Sequence, residues 1–105
     1  MNKTVTPTLS PRVVEEEIEL SLAELCHACG IPEEQVVSWI FEGMLDAAGE
    51  RPQEWKFTGS SLKRARVAWR LTRDLEINTA GVALALDLLD EIAALRARLM
   101  RSGLR

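Results

Sequence analysis

The sequence predicts a mainly α-helical fold, with a helix-turn-helix, a small β wing and a long C-terminal helix. Three observations carry that expectation. Two stretches with helical apolar spacing, "LAELCHAC" and "PEEQVVSWIFE", are separated only by Gly30 and Ile31. The strand-like pieces, "VVEEEIEL" at 13–20 and "EWKF" at 54–57, are short and flank that helix pair. The segment 79–102 keeps apolar residues at three- and four-residue steps along its whole length.

Taken in order, residues 1–12, "MNKTVTPTLSPR", carry two of the four prolines and no apolar period, which reads as a disordered tail ahead of a single domain over 13–105. Val14, Glu16, Ile18 and Leu20 then alternate with Val13, Glu15, Glu17 and Glu19, leaving one face partly apolar. That period of two fits a short edge strand whose charges discourage edge-to-edge pairing. Ser21 with Glu24 three residues later has the capping-box spacing for a first helix, and Gly30 closes it. Pro32 suits the first turn of a second helix, with Glu33 and Glu34 at the positive end of its dipole and Gly43 at its end.

Gly49, Pro52 and Gly59 punctuate the next stretch, so "EWKF" is expected to form a wing that pairs with the N-terminal strand. Ser60 or Ser61 would cap a third helix. Its apolar side is Leu62, Ala65, Ala68, Trp69, Leu71 and Leu75, while Lys63, Arg66, Arg70 and Arg73 form a basic stripe opposite. Asn78 or Thr79 starts the last helix. There Leu88, Ile92, Leu95 and Leu99 have coiled-coil spacing, and Val82, Leu86 and Leu89 form a second stripe able to cover a core. A helix apolar on two sides has to bury both, so the Leu88–Leu99 seam is expected to be a homodimer contact.

Composition narrows the function. Acids outnumber bases 16 to 13 in 105 residues, for a formal charge of -3, which argues against non-specific nucleic-acid binding. No apolar run approaches the roughly 20 residues needed to span a bilayer, and no signal pattern opens the chain, so a cytoplasmic location without a membrane partner is expected. Cys26 and Cys29 flank the only histidine, His27, but no second Cys/His pair completes a zinc set. Cys26 reads better as a small core hydrophobe, and no metal or cofactor is expected. Neither cysteine has a second histidine to activate it and no glycine-rich phosphate loop is present, so an enzyme is not expected.

The second helix of a DNA-reading helix-turn-helix needs Arg, Lys, Asn or Gln for phosphates and base edges. Here it offers Glu33, Glu34 and Glu42, with no Lys or Arg between Gly30 and Gly43. Those carboxylates, with Asp46, fit a basic protein surface better than a duplex. Trp39 is a candidate apolar anchor for such a partner, although core packing is the ordinary fate of this tryptophan and of Trp55 and Trp69.

Residues 18–100 follow the element order of MerR-type winged-helix domains. Within that fold the chain resembles the CbpM-type chaperone modulator family, through "ELSLAELCHACGIPEEQVVSWIFEGML", "EWKFTGSSLKRARVAWRLTRDLEIN" and above all "AGVALALDLLDEIAALRARL". The resemblance implies a non-enzymatic regulator. It would bind the J-domain of a CbpA-type, DnaJ-like co-chaperone and block both its work with DnaK and its DNA binding. MerR-type regulators normally carry basic and aromatic residues early in the second helix, where this chain has "PEEQVVSW", and a metal sensor would need a C-terminal cysteine loop absent here. The alternative is a MerR-like transcription regulator that meets DNA through Lys63, Arg66, Arg70 and Arg73, with Arg51 or Lys56 of the wing.

Overall fold

The computed structural model describes residues 18–103. The tail expected at 1–12 and the first part of the expected strand, 13–17, lie outside them. The elements are α1 (Leu22–Cys29), α2 (Glu33–Phe41), a 3-10 turn (Pro52–Glu54), α3 (Gly59–Asp74) and α4 (Thr79–Arg101).

Local hydrogen bonds explain why the helices begin and end where they do. At α1 the Ser21 hydroxyl accepts from the Glu24 N–H at 3.1 Å, and the Glu24 carboxylate accepts from the Ser21 N–H at 2.8 Å. This reciprocal pair satisfies two otherwise orphaned donors, and such a cap contributes about 1 kcal/mol. Gly30 ends α1 in the left-handed region at φ 70°, donating to the Cys26 carbonyl at 2.8 Å. Pro32 differs from expectation. It keeps an extended ψ of 143° and serves as the N-cap of α2, its carbonyl accepting from the Gln35 and Val36 N–H groups. Glu33 and Glu34 therefore occupy the first turn.

The pairing at the expected wing is smaller than its sequence signal. Among the described residues it consists of two isolated antiparallel bridges, Leu20 with Phe57 and Ala48 with Lys56. "EWKF" does meet the N-terminal segment, through a reciprocal pair of 2.8 Å bonds between Leu20 and Phe57. The reversal between Ala48 and Lys56 depends on Gly49. Its φ is 122°, and a Cβ there would fall 2.8 Å from the Glu54 carbonyl oxygen. Arg51 pairs with Glu54 across the 3-10 turn. The cap of α3 also moves relative to expectation: helix starts at Gly59, and Thr58 Oγ1 accepts from the Ser61 N–H at 3.2 Å.

The chain divides into two compact units, one ending at Val67 and one starting at Ala68, so the boundary falls within α3. In the first unit Leu25, Ile31, Val36, Trp39, Met44, Leu45, Trp55, Phe57 and Ala65 are buried, and Cys26 joins them as a small apolar residue. Trp55 meets Phe57 edge-on at 6.4 Å. In the second unit Asn78 caps α4, its side-chain oxygen accepting from the Gly81 N–H at 2.8 Å. Val82 and Leu86 are buried, but Leu89 is 47% exposed, so the expected core-covering stripe stops one turn early. Leu75 is also exposed, because α3 ends at Asp74 and leaves it in the turn.

Candidate functional site

On α2 the buried positions are Val36 and Trp39. Successive residues rotate by about 100° around a helix, so Glu34, Ser38, Phe41 and Glu42 fall together on the opposite side. Glu34, Phe41 and Glu42 are exposed there and Ser38 is half-buried, while Glu33 is exposed on another side of the helix. The Ser38 hydroxyl donates to Glu42 Oε2 at 3.5 Å. Three carboxylates thus stand on a helix without Lys or Arg, the two at the N-terminal end being favoured by the helix dipole.

Two expected site residues take other places. Trp39 is 1% exposed and fills the core of its unit, so it is not a surface anchor. The apolar face of α2 is broad enough that spacing alone does not say which aromatic turns inward. The one that turns outward is Phe41, at 75% exposure. Its ring sits edge-on to buried Trp55, with centroids 6.1 Å apart and planes at 64°. Asp46 is exposed but lies apart from the α2 carboxylates, lining a recess of about 400 Å³ with Lys56, Thr58, Ser60, Ser61 and Arg64. Its backbone carbonyl accepts from the Ser61 hydroxyl at 3.2 Å, and Arg64 Nε donates to the Met44 carbonyl at 2.7 Å. Lys56 and Arg64 thus bring two cations to the same recess as Asp46.

The cysteines are held as thiols. Burial pushes the Cys26 thiol above its ordinary value, and Glu33 and Cys29 reinforce the effect. Burial also raises the Cys29 thiol, partly opposed by the Arg66 guanidinium. Cys29 Sγ points at the Leu62 carbonyl at 3.9 Å. No group of three or more His, Cys, Asp or Glu side chains able to hold a metal occurs among the described residues. No described helix is long and apolar enough to cross a membrane.

The basic stripe on α3 is exposed at Lys63, Arg66, Arg70 and Arg73, with Arg73 paired to Asp74 at 3.2 Å. On α4 the expected seam is open to solvent: Leu88, Ile92, Leu95 and Leu99 are 43–55% exposed.

Comparison with known proteins places this arrangement. Residues 20–102 match the model of the MerR HTH family regulatory proteins. The chain is 39% identical over 87 residues to the chaperone modulatory protein CbpM of Coxiella burnetii (strain Dugway 5J108-111), covering 83% of this chain and 82% of that protein. The chain belongs to the MerR-like CbpM family. A second CbpM, from Pseudomonas putida (strain W619), is 37% identical over 79 residues, or 75% of this chain and 78% of the relative. The CbpM of Pseudomonas entomophila (strain L48) is 32% identical over a stretch of the same length. For a CbpM-family chain, α1, the Gly30 turn and α2 are its helix-turn-helix, and α2 stands where a DNA reader would place its recognition helix.

Proposed function

We propose that this chain is a non-enzymatic, cytoplasmic chaperone modulator. It binds the J-domain of a CbpA-type, DnaJ-like co-chaperone and blocks that protein's work with DnaK and on DNA. The observation that carries the reading is the exposed carboxylate face of α2, on a helix-turn-helix whose relatives are named chaperone modulatory proteins. A duplex would be repelled by Glu33, Glu34 and Glu42, whereas a basic protein surface is drawn to them. Titration of the purified J-domain into this protein at low salt tests it. Binding at micromolar or lower concentration is expected, and no binding would sink the reading. Reversing Glu34 and Glu42 to Lys should weaken affinity on the order of tenfold, with the difference shrinking as salt rises.

The active form in this reading is a homodimer joined through α4. Leu88, Ile92, Leu95 and Leu99 are symmetric about the point between Ala93 and Ala94, Leu88 lying as far before it as Leu99 lies after it, and Ile92 matching Leu95 likewise. An antiparallel pair therefore puts every seam residue opposite another. Charge favours that orientation. Asp87, Asp90 and Glu91 precede Arg96, Arg98 and Arg101, so antiparallel copies lay acid beside base, whereas parallel copies set like beside like.

Exposure of Lys63, Arg66, Arg70 and Arg73, with the MerR-type family match, favours a second reading as a DNA-binding transcription regulator. It requires a duplex affinity that falls steeply with salt. A gel shift on genomic fragments that stays empty at low salt disposes of it.

A further inference from the structure

We propose that the exposed ring of Phe41 is the apolar anchor of the docking surface on α2, and that its occupant is a basic amphipathic helix. The inference rests on the J-domain reading above and deepens it by naming the residue and the chemistry it receives. A single exposed aromatic is ordinary on a protein surface. Three features set this one apart.

The ring is supported. Phe41 is the last residue of α2 and packs edge-on against Trp55, which is 5% exposed and in turn meets the fully buried Phe57. An aromatic series thus runs from the core to the surface, holding the outer ring in place before any partner arrives. Aromatic anchors held in this way lose little conformational freedom on binding, which is why they dominate interface energetics. The ring is also framed by charge of one sign: Glu34 lies two turns back on the same line of the helix and Glu42 follows it directly. Lastly, nothing cationic on α2 competes, since no Lys or Arg occurs between Gly30 and Gly43.

Those features select the occupant. A nucleic acid would bring phosphates against Glu34 and Glu42. A second copy docked by the same face would bring its own carboxylates. A helix carrying Lys or Arg around an apolar cleft satisfies both components: its cations meet the glutamates, and the cleft, or the face of a guanidinium, covers the ring.

The experiment is a titration of the purified J-domain into the full chain and into its Phe41→Ala, Phe41→Trp and Glu34→Gln/Glu42→Gln variants, each at several salt concentrations, with thermal melts run in parallel. Phe41→Ala should weaken binding roughly tenfold or more with the salt dependence retained. Phe41→Trp should bind close to the parent, and the double glutamine variant should lose much of the salt dependence. If Phe41→Ala binds as tightly as the parent, the anchor is wrong while the J-domain reading stands. If the parent itself does not bind, the reading falls and takes this inference with it. Melts separate either outcome from a folding defect, since Phe41 is largely outside the core.

Discussion

Helices α2 and α4 share the same apolar periodicity and resolve it in opposite ways. The large apolar residues of α2 are mostly turned inward: Val36 and Trp39 are buried, Val37 and Ile40 are half-buried, and only Phe41 is left outside. On α4 the first turns bury Val82 and Leu86, and then Leu88, Leu89, Ile92, Leu95, Leu99 and Met100 are all exposed. The difference teaches that one helix is largely buried within its own unit, whereas the far half of the other is left open, which is the observation behind the proposed dimer.

The contrast is broken most directly by removing the side chain that completes α2. Trp39→Ala should cost about 3–5 kcal/mol of unfolding free energy, read by urea denaturation, because the void is lined by a close-packed core. Placing a charge in the seam tests the other side. Ile92→Asp with Leu95→Asp should raise the dimer dissociation constant by roughly 100-fold or more in sedimentation, without disturbing the melt of the first unit. A parent that sediments as a monomer at all concentrations would remove the basis of the contrast.

Smaller changes sharpen it at the helix starts. Ser21→Ala removes the hydroxyl half of the α1 capping box and Asn78→Ala removes the α4 cap, and each should cost about 1 kcal/mol. If α4 is completed by a second copy, the Asn78→Ala loss should shrink as protein concentration rises, whereas the Ser21→Ala loss should not.

The least effect is expected from pH. The backbone hydrogen bond from Ser21 holds the Glu24 carboxyl below its ordinary value of 4.5. A folded-state pKa depressed in this way contributes stability that is present above 4.5 and lost as pH falls through the lower folded value. Glu24→Gln should therefore lose that small contribution at neutral pH and flatten the acid limb of the stability curve, parent and variant converging in acid.

Much of the helical framework is legible because its signals act over three or four residues. Ser21 and Glu24, Gly30, Gly43 and Asn78 each meet partners or conformations set within one turn, so their roles follow from spacing alone. The wing was less legible: its pairing depends on registering Leu20 against Phe57, far apart in sequence, and only single bridges form. The acidic character of α2 also needs no tertiary knowledge, because the charges are simply those of residues 31–42.

Tertiary structure decided which apolar residues are spent on the core. Trp39 and Phe41 are both large aromatics of α2, and the fold buries the first while leaving the second exposed with its ring edge-on to Trp55. It likewise set Asp46 beside Lys56 and Arg64, and ended the cover of α4 at Leu86. Burial is a property of what the rest of the chain brings to a surface, whereas caps and periodicity belong to the segment itself.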